Sequence, residues 1–136
     1  MKKVVLLSCT SQKLPRRATA RELYISPLFK FSLRYAESLK PNSIFILSAK
    51  YGLLDLETWV EPYDLTLNAL TSREIRGWAD RVLAQLGEQA DLQKDLFIFL
   101  AGVKYRELLL SHIKRYEIPM QGLSIGRQLQ FLKKHL

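Results

Sequence analysis

Three segments of this chain are apolar almost without interruption: Lys3–Ser8 (KVVLLS), Ser43–Ser48 (SIFILS) and Leu96–Leu100 (LFIFL). None alternates apolar with polar residues, as a strand with one wet face does. Such runs read as strands buried on both faces, which calls for helices on each side of a mainly parallel sheet. The stretches between them supply those helices. Ser26-Pro27 is a helix start, with Ser26 as cap and Pro27 at the first helical position, and Leu28, Phe31, Tyr35 and Leu39 form its apolar stripe. Lys40-Pro41-Asn42 stops it.

A second helix opens at Thr71 or Ser72 with Glu74, places Ile75, Trp78, Ala79, Val82, Leu83 and Leu86 on one face, and ends at Gly87. A third runs from about Val103 to Arg115. Glu117 to Met120 reads as a short last strand, and Gly122 to Gly126 as a turn into a C-terminal helix. Cys9 to Ala20, with Pro15 inside it, reads as a loop. The order predicts one α/β domain over residues 1–136: a three-layer α/β sandwich with a mainly parallel central sheet of about four strands.

No apolar run approaches the roughly 18 residues of a membrane helix. Met1-Lys2-Lys3 precedes too short an apolar run for a signal peptide, so the expectation is a cytoplasmic protein with no membrane partner. One cysteine excludes an internal disulfide and a cysteine-rich zinc site. No carboxylate or histidine cluster has ligand spacing, so neither metal nor cofactor is expected. Lys and Arg number 21 against 13 Asp and Glu, a net charge of +8 that suits a polyanionic partner. The excess gathers at Lys13, Arg16, Arg17 and Arg21, and again at Arg127, Lys133, Lys134 and His135.

The carboxyl ends of parallel strands share one edge, where α/β sheets bind ligands. Here those ends read Ser8-Cys9-Thr10-Ser11-Gln12-Lys13, Ser48-Ala49-Lys50-Tyr51-Gly52, Ala101-Gly102-Val103-Lys104-Tyr105 and Met120-Gln121-Gly122-Leu123-Ser124-Ile125-Gly126-Arg127. Each brings a basic residue and either a glycine or small hydroxyl residues. Ser8, Cys9, Ser48, Lys50, Tyr51, Gly102 and Arg127 are therefore expected to line one concave site that suits an anion, most naturally a phosphate or nucleotide. Cys9 is the one candidate nucleophile, with Lys13 or Tyr51 to handle protons, although neither His112 nor His135 is near it in sequence.

Several of these motifs resemble a known family. Leu47-Ser48-Ala49-Lys50-Tyr51-Gly52-Leu53-Leu54, followed by Pro62-Tyr63-Asp64-Leu65, is similar to the LSxxYGxL…PYxL signature of YaaA-type peroxide-stress proteins. The opening strand into Ser8–Lys13 and the segment Leu23-Tyr24-Ile25-Ser26 resemble the same family's first motifs. Cys9-x-x-x-Lys13 is similar to the start of the archaeosine synthase motif, without that motif's following Pro-Tyr and histidine. The resemblance covers residues 3 to 65 well and 96 to 127 more weakly. It implies a YaaA-like α/β core in contact with nucleic acid or a modified base in it. Ser8, Lys13, Tyr24, Ser26, Ser48, Lys50, Tyr51, Gly52, Tyr63, Gly102 and Arg127 are then the candidate ligand-binding set.

Three functions follow as expectations. The first is a cytoplasmic nucleic-acid-associated domain whose pocket holds a nucleotide or nucleobase, single-stranded or looped nucleic acid being favoured. In it Lys13, Lys50 and Arg127 meet phosphate, and Tyr24, Tyr51 and Tyr63 stack or hydrogen-bond. The second is an enzyme on a base or nucleotide with Cys9 as nucleophile. The third is a non-catalytic interaction module of a nucleic-acid modification or defence system.

Overall fold

Leu6 stands at the centre of the sheet, with Phe45 as its rung partner on one side and Phe99 on the other. Its strand, β1 (Lys3–Ser8), lies between β3 (Ser43–Ser48) and β6 (Leu96–Leu100), both parallel to it. A computed structural model describes residues 1–136. Outside β6 lies the short parallel strand β7 (Arg115–Glu117), and outside β3 the antiparallel strand β4 (Gly52–Asp55), giving the order β4-β3-β1-β6-β7. A separate antiparallel ribbon pairs β2 (Ala18–Thr19) with β5 (Trp59–Val60).

Two helix layers explain why the central runs are continuously apolar. Val5, Leu7, Ile46, Ile98 and Leu100 face α2 (Pro27–Ser38) and α5 (Ile125–Lys134), in a core with Phe29, Leu33, Ala36 and Leu132. Val4, Leu6, Phe45, Leu47, Phe97 and Phe99 face α3 (Ser72–Gln89) and α4 (Val103–Leu110), in a core with Trp78, Ala79, Val82, Leu86 and Leu109. Side chains still alternate between faces, but both faces are apolar. The fold is α/β with a mainly parallel five-stranded sheet, four strands running one way. No helix is long and apolar enough to cross a membrane.

Local signals behaved unequally. Thr71 and Glu74 form a reciprocal capping box at the start of α3, as their spacing predicts. Gly87 does not end that helix, which continues to Gln89; its exposed position demands nothing but helical backbone. The chain stops instead where the Asp95 carboxylate accepts the N–H groups of Asp91 and Lys2, bonds that hold its acid below the usual carboxylate range. In α2 the buried residues are Phe29, Ser32, Leu33 and Ala36, one position round from the expected stripe. Leu28, Phe31, Tyr35 and Leu39 are half-buried at its flank, partly under α5.

The last helix before β7 ends at Leu110 rather than Arg115, because Ile113 turns back into the core. This moves β7 to Arg115–Glu117, ahead of the expected Glu117–Met120. Cys9 to Ala20 is not irregular throughout: Lys13 bridges Tyr24, β2 follows, and α1 (Ala20–Leu23) begins there.

The largest difference concerns Ser48-Ala49-Lys50-Tyr51-Gly52, which is a tight turn rather than an open strand end. Ser48 is paired with Gly52, and the chain returns as β4. Gly52 has φ 75°, a left-handed conformation that costs an L-residue about 1–2 kcal/mol. A Cβ there would also strike Gln85, whose Oε1 accepts the Leu53 N–H at 2.9 Å. Gly52→Ala is expected to lower unfolding free energy by about 1–3 kcal/mol in urea titration, through both terms.

Candidate functional site

β1 and β6 end beside one another, and the chain leaves them through Ser8-Cys9-Thr10 and Ala101-Gly102. Between those exits and the start of α2 and α5 lies a cavity of about 230 Å³. Phe29, Phe99, Leu100, Ile118 and Met120 give it apolar walls. Ser8, Cys9, Thr10, Ser32, Arg106 and Gln128 give it polar positions, and Gly102 and Ile125 stand at helix starts. The Arg106 guanidinium folds back on the first turn of α4, donating from Nη1 to the Ala101 carbonyl at 2.7 Å.

A second group forms where β3 turns. The Ser48 hydroxyl, fully buried, donates to Tyr63 Oη at 2.7 Å and accepts the Tyr51 N–H at 3.1 Å. Tyr63 Oη and Tyr24 Oη are 2.5 Å apart. Ser48, Tyr63 and Tyr24 thus form a connected chain of hydroxyls, with Tyr63 in the middle bonded to both. Tyr51 enters through its backbone N–H and through its ring, edge-on to Tyr63 at 5.5 Å. Lys13 Nζ sits over the Tyr63 ring at 4.5 Å from its centroid, and over Tyr24 at 5.7 Å.

Phe29 joins the two groups, being a cavity wall and 5.1 Å from the Tyr24 ring. Cys9 also belongs to both surroundings. It lines the cavity, and its thiol donates to Tyr105 Oη at 3.4 Å, where the Leu67 N–H also donates at 3.4 Å.

Electrostatics separate the roles of these groups. Burial pushes the phenols of Tyr24, Tyr63 and Tyr105 well up, so all three stay protonated at neutral pH. Burial lowers Lys13, while Cys9 and Asp64 act in the opposite sense. The phenols are therefore hydrogen-bonding groups rather than bases. No three His, Cys, Asp or Glu side chains converge on a metal-sized space.

The candidate residues thus fall into three places. Ser8, Cys9 and Gly102 line the cavity. Lys13, Tyr24, Ser48, Tyr51 and Tyr63 gather in the phenol cluster, and Ser26 links the regions by capping α2 and donating to Thr10 Oγ1 at 3.2 Å. Gly52 serves the hairpin, Lys50 is exposed over the Tyr51 ring, and Arg127 is exposed on α5 outside the cavity. Ser32, Tyr105, Arg106 and Gln128 were missed. Arg106 and Gln128 each lie four residues beyond a helix cap, Gly102 and Ser124, and that one-turn spacing was the available signal.

A family model matches residues 4–134 over nearly the whole fold. The chain belongs to the family of unknown function DUF6884. Neither a curated protein nor a solved structure matches it. The match takes in both the cavity and the phenol cluster.

Tyr63 is the hub of that cluster, so Tyr63→Phe leaves two buried hydroxyls short of a partner and is expected to cost about 1–3 kcal/mol. Tyr24→Phe removes the other half of the same bond. A double-mutant cycle by chemical denaturation should therefore give a cost for the pair smaller than the sum of the singles; additive costs would show that the hydroxyl chain carries no coupling.

Proposed function

We propose that this protein is a cytoplasmic, nucleic-acid-associated domain whose strand-edge cavity holds a nucleobase or nucleotide. The observation that carries the reading is the lining of the cavity: flat apolar side chains, Phe29 and Phe99 among them, with a few polar groups from separate elements. That combination fits a planar heterocycle with a polar edge better than a bare phosphate, which wants cations on all sides. The YaaA-like motifs described above point the same way, toward a base in contact with this edge.

The basic loop outside the cavity supplies the electrostatic half. Arg16 and Arg17 are exposed; Arg17 lies over the exposed ring of Trp59 at 5.7 Å and makes only a long, exposed ion pair with Glu61 at 4.0 Å. Arg21 is not free to join them, since its guanidinium binds Glu37 at 3.0 Å and Glu57 at 3.1 Å. A base enters an enclosed cavity only when unpaired, which favours single-stranded or looped nucleic acid over a duplex. Arg16 and Arg17 then meet phosphate while Trp59 offers a stacking face.

A second reading rests on Cys9, which lines the cavity and is the one thiol of the chain. Tyr105, its hydrogen-bond partner, is held protonated by burial and accepts a hydrogen bond without taking the proton. Binding is therefore the primary proposal. Cys9→Ser should fold and retain affinity for nucleosides; loss of turnover at retained affinity would instead establish the enzyme.

Oligonucleotide titrations over a salt series test the binding mode. Log K should fall by roughly 0.7 per phosphate neutralised on a single strand for each tenfold rise in salt. Arg16→Glu with Arg17→Glu should weaken binding and flatten that slope, whereas Trp59→Ala should weaken binding at unchanged slope. Affinity no better than for heparin, with the variants equal to the parent, would overturn the proposal.

A further inference from the structure

The first turn of α4 differs from those of the other long helices. Ser26, Thr71 and Ser124 each place a side-chain oxygen on the third N–H of their helices, whereas α4 is capped by Gly102 and has no side-chain cap. No acceptor in the chain takes the N–H of Val103 or Lys104. Arg106 folds its guanidinium back to that end, bonded to Ala101, so a full positive charge adds to the partial charge of the helix start. Gly102 and Arg106 both border the cavity, and the space a Gly102 side chain would occupy is open.

A second feature points to an occupant. Ser32 is 5% exposed, yet its hydroxyl forms no hydrogen bond with any protein group, and it lies on the wall of the same cavity. The chain has no fully buried side-chain oxygen or nitrogen without a partner, so the Ser32 oxygen is one that the cavity leaves accessible to an occupant. Ser32 and the α4 start thus offer a polar contact within the cavity and an anion position at its rim.

We infer that the cavity takes a phosphate ester, with the phosphate on the Val103 and Lys104 N–H groups and Arg106, and the organic body reaching Ser32. This rests on the base-pocket reading and deepens it. Anion binding belongs to α4 rather than to Lys13, Lys50 or Arg127, and a terminal phosphate is the form with free oxygens for all three donors.

The test uses the full chain with nucleosides, their 5′-monophosphates and inorganic phosphate as calorimetric probes. Gly102→Asp is the decisive variant, because the Gly102 backbone is extended and a carboxylate there caps α4 while repelling an anion. The parent should bind monophosphates about tenfold or more tighter than nucleosides. Gly102→Asp should erase that ratio with the thermal midpoint retained. Gly102→Ser and Arg106→Gln should reduce the ratio, and Ser32→Ala should weaken nucleosides and monophosphates alike. Equal affinity for nucleosides and monophosphates, or a ratio that survives Gly102→Asp, overturns the anion site and leaves the base pocket standing. Phosphate binding that Gly102→Asp abolishes, with no nucleoside bound, keeps the anion site and sinks the base pocket. A parent that binds none of the three probes sinks both.

Discussion

β1 has no wet side. Its edges are closed by β3 and β6, and Val4, Val5, Leu6 and Leu7 are fully buried between two helix layers. A strand in that position can carry no polar side chain along its length without finding it a partner. Its polarity is therefore displaced to its end, and Ser8, Cys9 and Thr10 emerge together beside the end of β6. Both the cavity and the thiol's contact with Tyr105 depend on this enforced change from apolar to polar at one place. The helices covering the sheet start at the same edge, which is why Gly102, Ile125 and Phe29 arrive there from three directions.

How much of this was legible follows from the range of each signal. The three buried strands and the box that opens α3 are written in contiguous residues, and local reading found them. β4 was hidden because Gly52 looks alike as a ligand-binding glycine and as a turn glycine; its positive φ is a property of the folded hairpin. Ser32 was hidden for a different reason. A serine among apolar residues in a helix reads as the wet face, and only the rotation of α2 under α5 shows that it points inward.

The sheet edge carries two polar groups, and the difference between them is satisfaction. In the phenol cluster Ser48 accepts one bond and donates another, and the Tyr63 and Tyr24 hydroxyls are hydrogen-bonded to each other. Trp78 Nε1 closes the same turn from the other face by donating to the Ser48 carbonyl at 2.8 Å. Every hydroxyl oxygen of this network has a protein partner, so its tyrosines read as the brace that fixes the turn after β3. Around the cavity the inventory does not close: Ser32 lacks a partner, α4 lacks a side-chain cap, and Arg106 retains donors beyond its bond to Ala101.

That contrast bears on Lys13 and Tyr51, which their motifs single out most strongly. Lys13 is held by its bridge to Tyr24 and rests on the Tyr63 ring, an arrangement that lowers the cost of half-burying a cation. Tyr51 packs edge-on against the same ring. Both are explained by the brace before any ligand is invoked. A motif that falls in contiguous residues around a turn is the kind a fold needs in order to shape its sheet edge. The residues left with unused bonds come from α2 and α4, separated in sequence and joined only by the packing of those helices on β1 and β6. The unused bonds at this edge therefore belong to the dispersed set, and the contiguous set holds the edge in place.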